Sequence, residues 1–294
     1  MGERVYLQES KEFQAKVDVE KCLPKGRRVR GSTDEAIFDL VADAIRAAVD
    51  SVRGTEKACL KLGKKSWHRE GIRYDTDDGL FKANNLTLAI EASDKRTKLK
   101  CKGHNFVPEL LYDKPSLAVA YPDIRKSSAY KKHDTTFKLE QDLHFDNIKY
   151  CASGSLYVKG CQTGDKDSSF FSRYFPGIAA LLPEAVPLRA ISHWDETIFD
   201  DMETRWGPCD IDSWMLVNRW DAKTKKLLEA EISFKVVKSM DEDWDRDRLR
   251  EVGHLYLALQ NTGIFRNLPP IFTFANPVSS IDIVEAPATG KGQR

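Results

Sequence analysis

Between Lys11 and Glu20 the chain alternates, with Phe13, Ala15, Val17 and Val19 on one side and Glu12, Gln14, Lys16 and Asp18 on the other. A period of two is the signature of an extended segment, so this stretch predicts a strand with one charged face. Ser32 or Thr33 can then cap a helix in which Ile37, Leu40, Val41, Ala44, Ile45 and Val49 recur at helical spacing as far as Gly54. Residues 71–76 read as a strand entering a turn at Asp77-Asp78-Gly79, and Leu86, Leu88 and Ile90 alternate in the next strand. Lys98, Lys100 and Lys102 alternate with Leu99 and Cys101, which places three ammonium groups on one face of a third strand ending at Gly103.

The middle of the chain, 104–185, reads as an insertion broken by Pro108, Pro115 and Pro122. Within it, Phe137, Leu139, Leu143 and Phe145 predict a strand, 155–159 a second, and 170–182 a short apolar helix ended by Pro183. Extended patterns return at 188–199, 214–220 and 228–237. A helix is predicted over 241–260, with Leu249, Val252, Leu255, Tyr256 and Leu259 as its apolar stripe. No repeat or linker divides 1–275, which is expected to form one domain, and 276–294 is expected to be a flexible tail.

Charge sharpens this picture. Lys and Arg total 46 against 45 Asp and Glu, and 31% of residues are charged, so charge must be organised locally rather than as one basic surface. That balance argues against general nucleic-acid binding. The six cysteines are scattered and no signal-like segment opens the chain, so a reducing, cytoplasmic setting is expected. No apolar run approaches the about 18 residues of a membrane span, and no membrane association is expected. Nothing in the pattern fixes an oligomeric state.

The segment 228–237 mirrors the first strand, because Glu229, Glu231, Ser233 and Lys235 share one face and Ala230, Ile232, Phe234 and Val236 the other. Glu12 and Gln14 together with Glu229 and Glu231 are hard oxygen donors of the kind Mg²⁺ or Mn²⁺ prefers. Lys16, Lys98, Lys100, Lys102 and Lys235 offer positive charge to phosphate oxygens. For a single strand the commoner explanation of a charged face is a solvated sheet surface. Recurrence on several strands favours an enclosed polar interior. Gly63-Lys64-Lys65-Ser66 lacks the earlier glycine of a phosphate loop, and Asp200-Asp201-Met202-Glu203 has no second acidic motif to complete a diphosphate site. The histidines show no close pair at zinc-ligand spacing, and His193 alone falls on an expected interior strand.

The order of these motifs resembles the CYTH family, the triphosphate tunnel metalloenzymes. That family opens with ExExK, and this chain has Glu12, Gln14 and Lys16 in the frame. A helix, a YFDT-like turn, an LRIR-like strand and a TLKG-like strand then follow; here they read as the helix after Thr33, Tyr74-Asp75-Thr76, Leu88-Ala89-Ile90-Glu91 and Leu99-Lys100-Cys101-Lys102-Gly103. The closing ELELE-like strand and helix correspond to Glu229-Ala230-Glu231-Ile232-Ser233-Phe234-Lys235 and the helix after Asp241. The resemblance spans residues 10–260 with a long unmatched middle.

It implies an α+β fold, an eight-stranded antiparallel β-barrel with flanking helices whose interior is a charged tunnel. It implies Mg²⁺ or Mn²⁺ at Glu12, Gln14, Glu229 and Glu231. Lys16, Glu229 and Glu231 would be catalytic, and Lys16, Lys98, Lys100, Lys102, Arg219 and Lys235 would bind phosphate. Glu91 and His193 are further expected tunnel positions. Gln14 stands where the family has a second Glu, and Ala89 and Glu91 where it has two arginines, which weakens the phosphate grip and implies a changed substrate. The expected partner is a small phosphorylated substrate. The expected function is metal-dependent chemistry on a triphosphate or organic diphosphate; the alternatives are a non-catalytic tunnel protein binding a phosphorylated ligand or protein partner, and a prenyl diphosphate-processing enzyme.

Overall fold

A strand that is apolar on one face and charged on the other can shelter both faces if its sheet closes on itself, with helices covering the outside. The computed structural model adopts this solution. It describes residues 6–24, 28–54, 57–94, 96–105, 136–145, 147–158, 164–206, 210–239 and 243–266. In chain order the elements are β1 (Tyr6–Lys16), α1 (Val19–Cys22), α2 (Ser32–Val52), β2 (Cys59–Leu62), β3 (Ser66–Asp75), α3 (Leu80–Ala83), β4 (Leu86–Ser93) and β5 (Arg96–Asn105). There follow β6 (Thr136–Leu143), β7 (Ile148–Val158), β8 (Lys166–Asp167), α4 (Ser168–Ser172), α5 (Gly177–Leu181), β9 (Pro187–Arg205), β10 (Ile211–Asp221), β11 (Leu227–Ser239) and α6 (Arg246–Gln260).

Among the described residues, hydrogen-bonded neighbours run β10, β11, β1, β6, β7, β5, β4, β3, β9 and back to β10, so nine strands close a barrel, while β2 and β8 each pair with β9 outside the ring. The barrel is mixed rather than all antiparallel: β1 and β6 are parallel, with Glu12 opposite Asp142. The expectation of eight antiparallel strands is therefore corrected to nine with one parallel seam. The α+β class with flanking helices stands.

Local chemistry explains the smaller differences. β1 stops at Lys16 rather than Glu20 because the Asp18 side chain accepts from the Lys21 N–H and starts α1. The apolar helix expected over 170–182 is two short ones, with Pro176 between α4 and α5. The strand expected over 155–159 begins earlier, at Ile148. The prolines of 106–135 and the tail expected over 276–294 lie outside the described residues.

Two apolar layers cover the barrel. On one side α2 and α6 bring Ile37, Val41, Ile45 and Leu255 against Trp214, Trp220 and Phe234. On the other, Phe81, Phe171, Phe175 and Ile178 pack on Ile72, Leu88, Leu99 and Leu156. The first turn of α2 is fastened by Asp34, a buried carboxylate that accepts from Thr197 Oγ1 (2.7 Å), Asn218 Nδ2 (3.0 Å), Trp220 Nε1 (3.0 Å) and the Gly31 N–H (3.2 Å). With four donors this carboxylate is satisfied by structure alone. Among the described residues no helix is long and apolar enough to cross a membrane.

Candidate functional site: the charged barrel lumen

Because the apolar faces of β1, β4, β5, β10 and β11 turn outward to the helices, their opposite faces turn into the lumen, and the pairing of β3 and β9 brings Arg69, Trp194 and Glu196 to the same side. The strand registers then fix which charges meet. Lys16 lies opposite Glu231, and Glu12 opposite Lys235. Arg219 lies between Glu229 on β11 and Glu196 on β9, Arg69 opposite Glu196, and Glu91 opposite Lys98.

The result is two networks. The longer runs through seven strands. Lys16 donates to Glu229 at 2.9 Å, Arg219 bridges Glu229 and Glu196 (2.9 Å to the latter), and Arg69 Nε donates to Glu196 at 2.6 Å. Arg69 also reaches Glu91 at 2.9 Å, and Glu91 in turn has Lys100 at 3.7 Å and Lys98 at 4.0 Å. Glu91 is 6% exposed. Burial would raise its carboxyl, but Lys100, Arg69 and Lys98 outweigh that and hold it below the ordinary carboxylate range. Burial, opposed by Glu91 and reinforced by Lys100, lowers the Lys98 ammonium to about 8.

The shorter network closes the ring. Lys235 lies 2.6 Å from both Glu12 and Glu140, and Lys102 lies 3.6 Å from Glu140 and 3.0 Å from Asp142. The Cys151 thiol donates to Asp142 at 3.3 Å, and burial with the nearby carboxylate pushes that thiol up to about 12. Cys151 is thus a neutral donor in the wall.

Three groups stand outside this pairing. Glu231 has no ion-pair or hydrogen-bond partner among the described residues, and burial followed by repulsion from Glu229 and Glu12 pushes its carboxyl up to about 7. Lys138 on β6 is partly buried without an ion pair among the described residues, and burial and then Lys235 lower its ammonium. Arg73 on β3 likewise has no carboxylate partner among the described residues; it lies over the Trp194 ring at 5.3 Å. Trp194 lies over Gly71 on the neighbouring strand, donates from Nε1 to Glu196 at 2.8 Å and receives Arg219 on its ring at 5.7 Å. It fits only because Gly71 lacks a side chain: a β-carbon there would overlap the indole.

The lumen therefore gathers Glu12, Gln14, Lys16, Glu91, Lys98, Lys100, Lys102, Arg219, Glu229, Glu231 and Lys235. His193 does not join them. It is exposed and pairs with Ile72, on the face opposite Trp194 and Glu196. Among the described residues no group of three or more His, Cys, Asp or Glu side chains is placed to hold a metal ion as the chain stands. Lys235 engages Glu12, while Lys16 and Arg219 engage Glu229.

Arg69, Arg73, Lys138, Glu140, Asp142, Trp194 and Glu196 are lumen residues that the motif reading missed. The alternation of Lys138, Glu140 and Asp142 against Phe137, Leu139 and Leu143 was a usable signal.

No family model matches the chain, and no curated protein matches it. Among solved structures the chain is similar to a candidate adenylyl cyclase from Hippeastrum with a dominant triphosphatase activity, at 9% identity over 86% of this chain and 87% of that one, TM-score 0.37. It is also similar to a candidate adenylate cyclase from Bacillus halodurans, at 9% identity over 77% and 87%, TM-score 0.36. A third similar structure is a candidate adenylate cyclase from Vibrio parahaemolyticus, at 10% identity over 87% and 93%, TM-score 0.33.

Proposed function

We propose that the lumen binds and turns over a small phosphorylated molecule, a triphosphate or an organic diphosphate, as its complex with a divalent cation. The observation that carries this reading is Glu231, a partly buried carboxylate with no partner among the described residues and repelled by Glu229 and Glu12, in a lumen that also holds Lys138 and Arg73, cations without a carboxylate partner among those residues. Repelling carboxylates and unmatched cations are complementary to a cation and an anion that arrive together.

Oxygen donors alone suit Mg²⁺ or Mn²⁺, and Glu231, Glu229 and Glu12, with the Gln14 amide oxygen, would hold the ion once the Lys235, Lys16 and Arg219 pairs loosen. The ion would supply charge neutralisation and polarise a phosphoryl oxygen. The chain's own cations do the rest. Lys98, Lys100, Arg69, Lys138 and Arg73 would grip non-bridging oxygens, and Lys16, released from Glu229, would neutralise charge that develops on the transferred group.

The test is release of phosphate or pyrophosphate from tripolyphosphate, nucleoside triphosphates and organic diphosphates with and without Mg²⁺ or Mn²⁺. Metal-dependent release that falls at least about a hundredfold in Glu231→Gln is expected, the scale of losing one electrostatic contact to the transition state. Ligands that bind and come back unchanged would leave a binding protein and sink the catalytic reading.

A further inference from the structure

The row of lumen charges formed by Arg69, Glu196 and Arg219 changes character one step along the same three strands. On the same faces of β3, β9 and β10, the register sets Trp67 opposite Ile198 and Ile198 opposite Val217. Met215 follows Val217 on that face of β10. None of these four side chains belongs to either apolar layer beneath the helices, although Ile198 is fully buried. They form an apolar seam on the lumen wall. Val217 and Met215 are half-buried, and Trp67, at the start of β3, is 37% exposed. The Arg69 guanidinium lies over the Trp67 ring at 5.7 Å, so the seam begins where the cations end. It offers a ligand no free N–H, because Trp67 Nε1 donates to Asp200 at 2.9 Å.

We infer that this seam receives the organic group of the ligand, and that this group is an aliphatic chain rather than a nucleoside. The inference rests on the phosphate-binding reading above and names its substrate class, a phosphate ester that is amphiphilic as the lumen wall is. A phosphate gripped by Arg69 lies beside Trp67, and a hydrocarbon attached to it can leave water along Ile198, Val217 and Met215. The hydroxyls and base edge of a nucleoside would lose water there against side chains that cannot hydrogen-bond them. Inorganic tripolyphosphate gains nothing from the seam.

The experiment is calorimetric binding of methyl, hexyl and uridine diphosphate to the full chain with Mg²⁺ present, for the wild type, Met215→Gln and Trp67→Ser. All three ligands carry the same two phosphates and differ in the organic group. In the wild type hexyl diphosphate is expected to bind at least about tenfold more tightly than methyl diphosphate, since each buried methylene corresponds to about a fourfold gain. Uridine diphosphate is expected within about threefold of methyl diphosphate. Met215→Gln keeps the length of the side chain and Trp67 sits at the mouth, so both variants should fold. In each, the hexyl-to-methyl affinity ratio is expected to fall at least about threefold.

A ratio near one in the wild type, a ratio unchanged in the folded variants, or uridine diphosphate bound more tightly than hexyl diphosphate overturns the inference. The seam is then packing alone, and the phosphate-binding reading stands. Binding of none of the three ligands by the folded wild type overturns that reading as well.

Discussion

The two networks of the lumen use the same chemistry to different ends. The shorter one places Lys235 and Lys102 against Glu12, Glu140 and Asp142, so it is acid-rich, and its Glu140 and Asp142 are 7% and 4% exposed. The longer one is cation-rich, and its end at Lys16 keeps 41% of its side chain exposed. The shorter network thus behaves as a buried clamp across the parallel seam of β1 and β6, and the longer one as a partly wet surface able to exchange one anion for another. Mutation should separate a stability role from a binding role.

The largest effect is expected at Lys102. Burial would lower its ammonium, yet Glu140 and Asp142 hold it well above the ordinary lysine range. Removing it in Lys102→Met would leave the buried Asp142 without a cation and Glu140 with Lys235 alone, a loss of about 3–5 kcal/mol in urea unfolding. A loss below about 1 kcal/mol would show that the clamp is solvated and that the two networks do not differ in kind.

Gly71→Ala comes next. The added methyl must displace the Trp194 indole, and with it the surface that Arg73 and Arg219 lie over, at a cost of about 1–3 kcal/mol. Trp194→Phe in the same chain should recover part of that cost, so the double-mutant cycle should show coupling of more than about 0.5 kcal/mol. Additive losses would mean that the ring moves freely.

How much of this was legible in the sequence follows from the same contrast. β1 and β11 could be read because one face of each is apolar and packs under α2 and α6, so the other face stood out. β3 could be read only from Gly71 onward, because in its first half His68 and Glu70 on the outer face are as polar as Arg69 on the inner one. Glu196 was hidden in the same way: its neighbour Asp195 is polar for a different reason, pairing outside the barrel with Arg30 and Lys225. His193 was assigned to the tunnel by position in a polar run, and only the register against Ile72 shows it facing out. Which charge meets which depends on strand order, and the parallel seam that brings Glu140 to Lys235 leaves no local trace. The motif order pointed to a charged barrel interior; the self-neutralising pairs within it were beyond reach of single strands.

A smaller effect, visible chiefly in its pH dependence, is expected at Glu231. Its carboxyl is raised to about 7 in the folded chain by burial, Glu229 and Glu12, against an ordinary 4.5. Between those two values the folded state holds a proton that the unfolded state has lost, so this group's contribution is greatest below pH 4.5 and declines as pH rises toward about 7. Glu231→Gln should remove that decline, and thermal unfolding followed across this window in the wild type and the variant would show it. Parallel curves would mean that Glu231 is not repelled by its neighbours. Added Mg²⁺ should also restore stability near neutral pH in the wild type and not in Glu231→Gln.

The smallest change in stability is expected at Lys16, and it is the sharpest test of the division. Its partner Glu229 keeps Arg219 when Lys16 is lost, and the ammonium is already partly solvated, so Lys16→Met should move the unfolding free energy by less than about 1 kcal/mol. Its binding effect should be larger. One phosphate contact to a cation in a partly dry lumen corresponds to about 1.5–3 kcal/mol, or roughly tenfold to a hundredfold in affinity. A variant that unfolds normally but binds methyl diphosphate at least about tenfold more weakly places Lys16 on the exchangeable side. If stability and affinity fall together, the longer network is a clamp like the shorter one, and the distinction between them is lost.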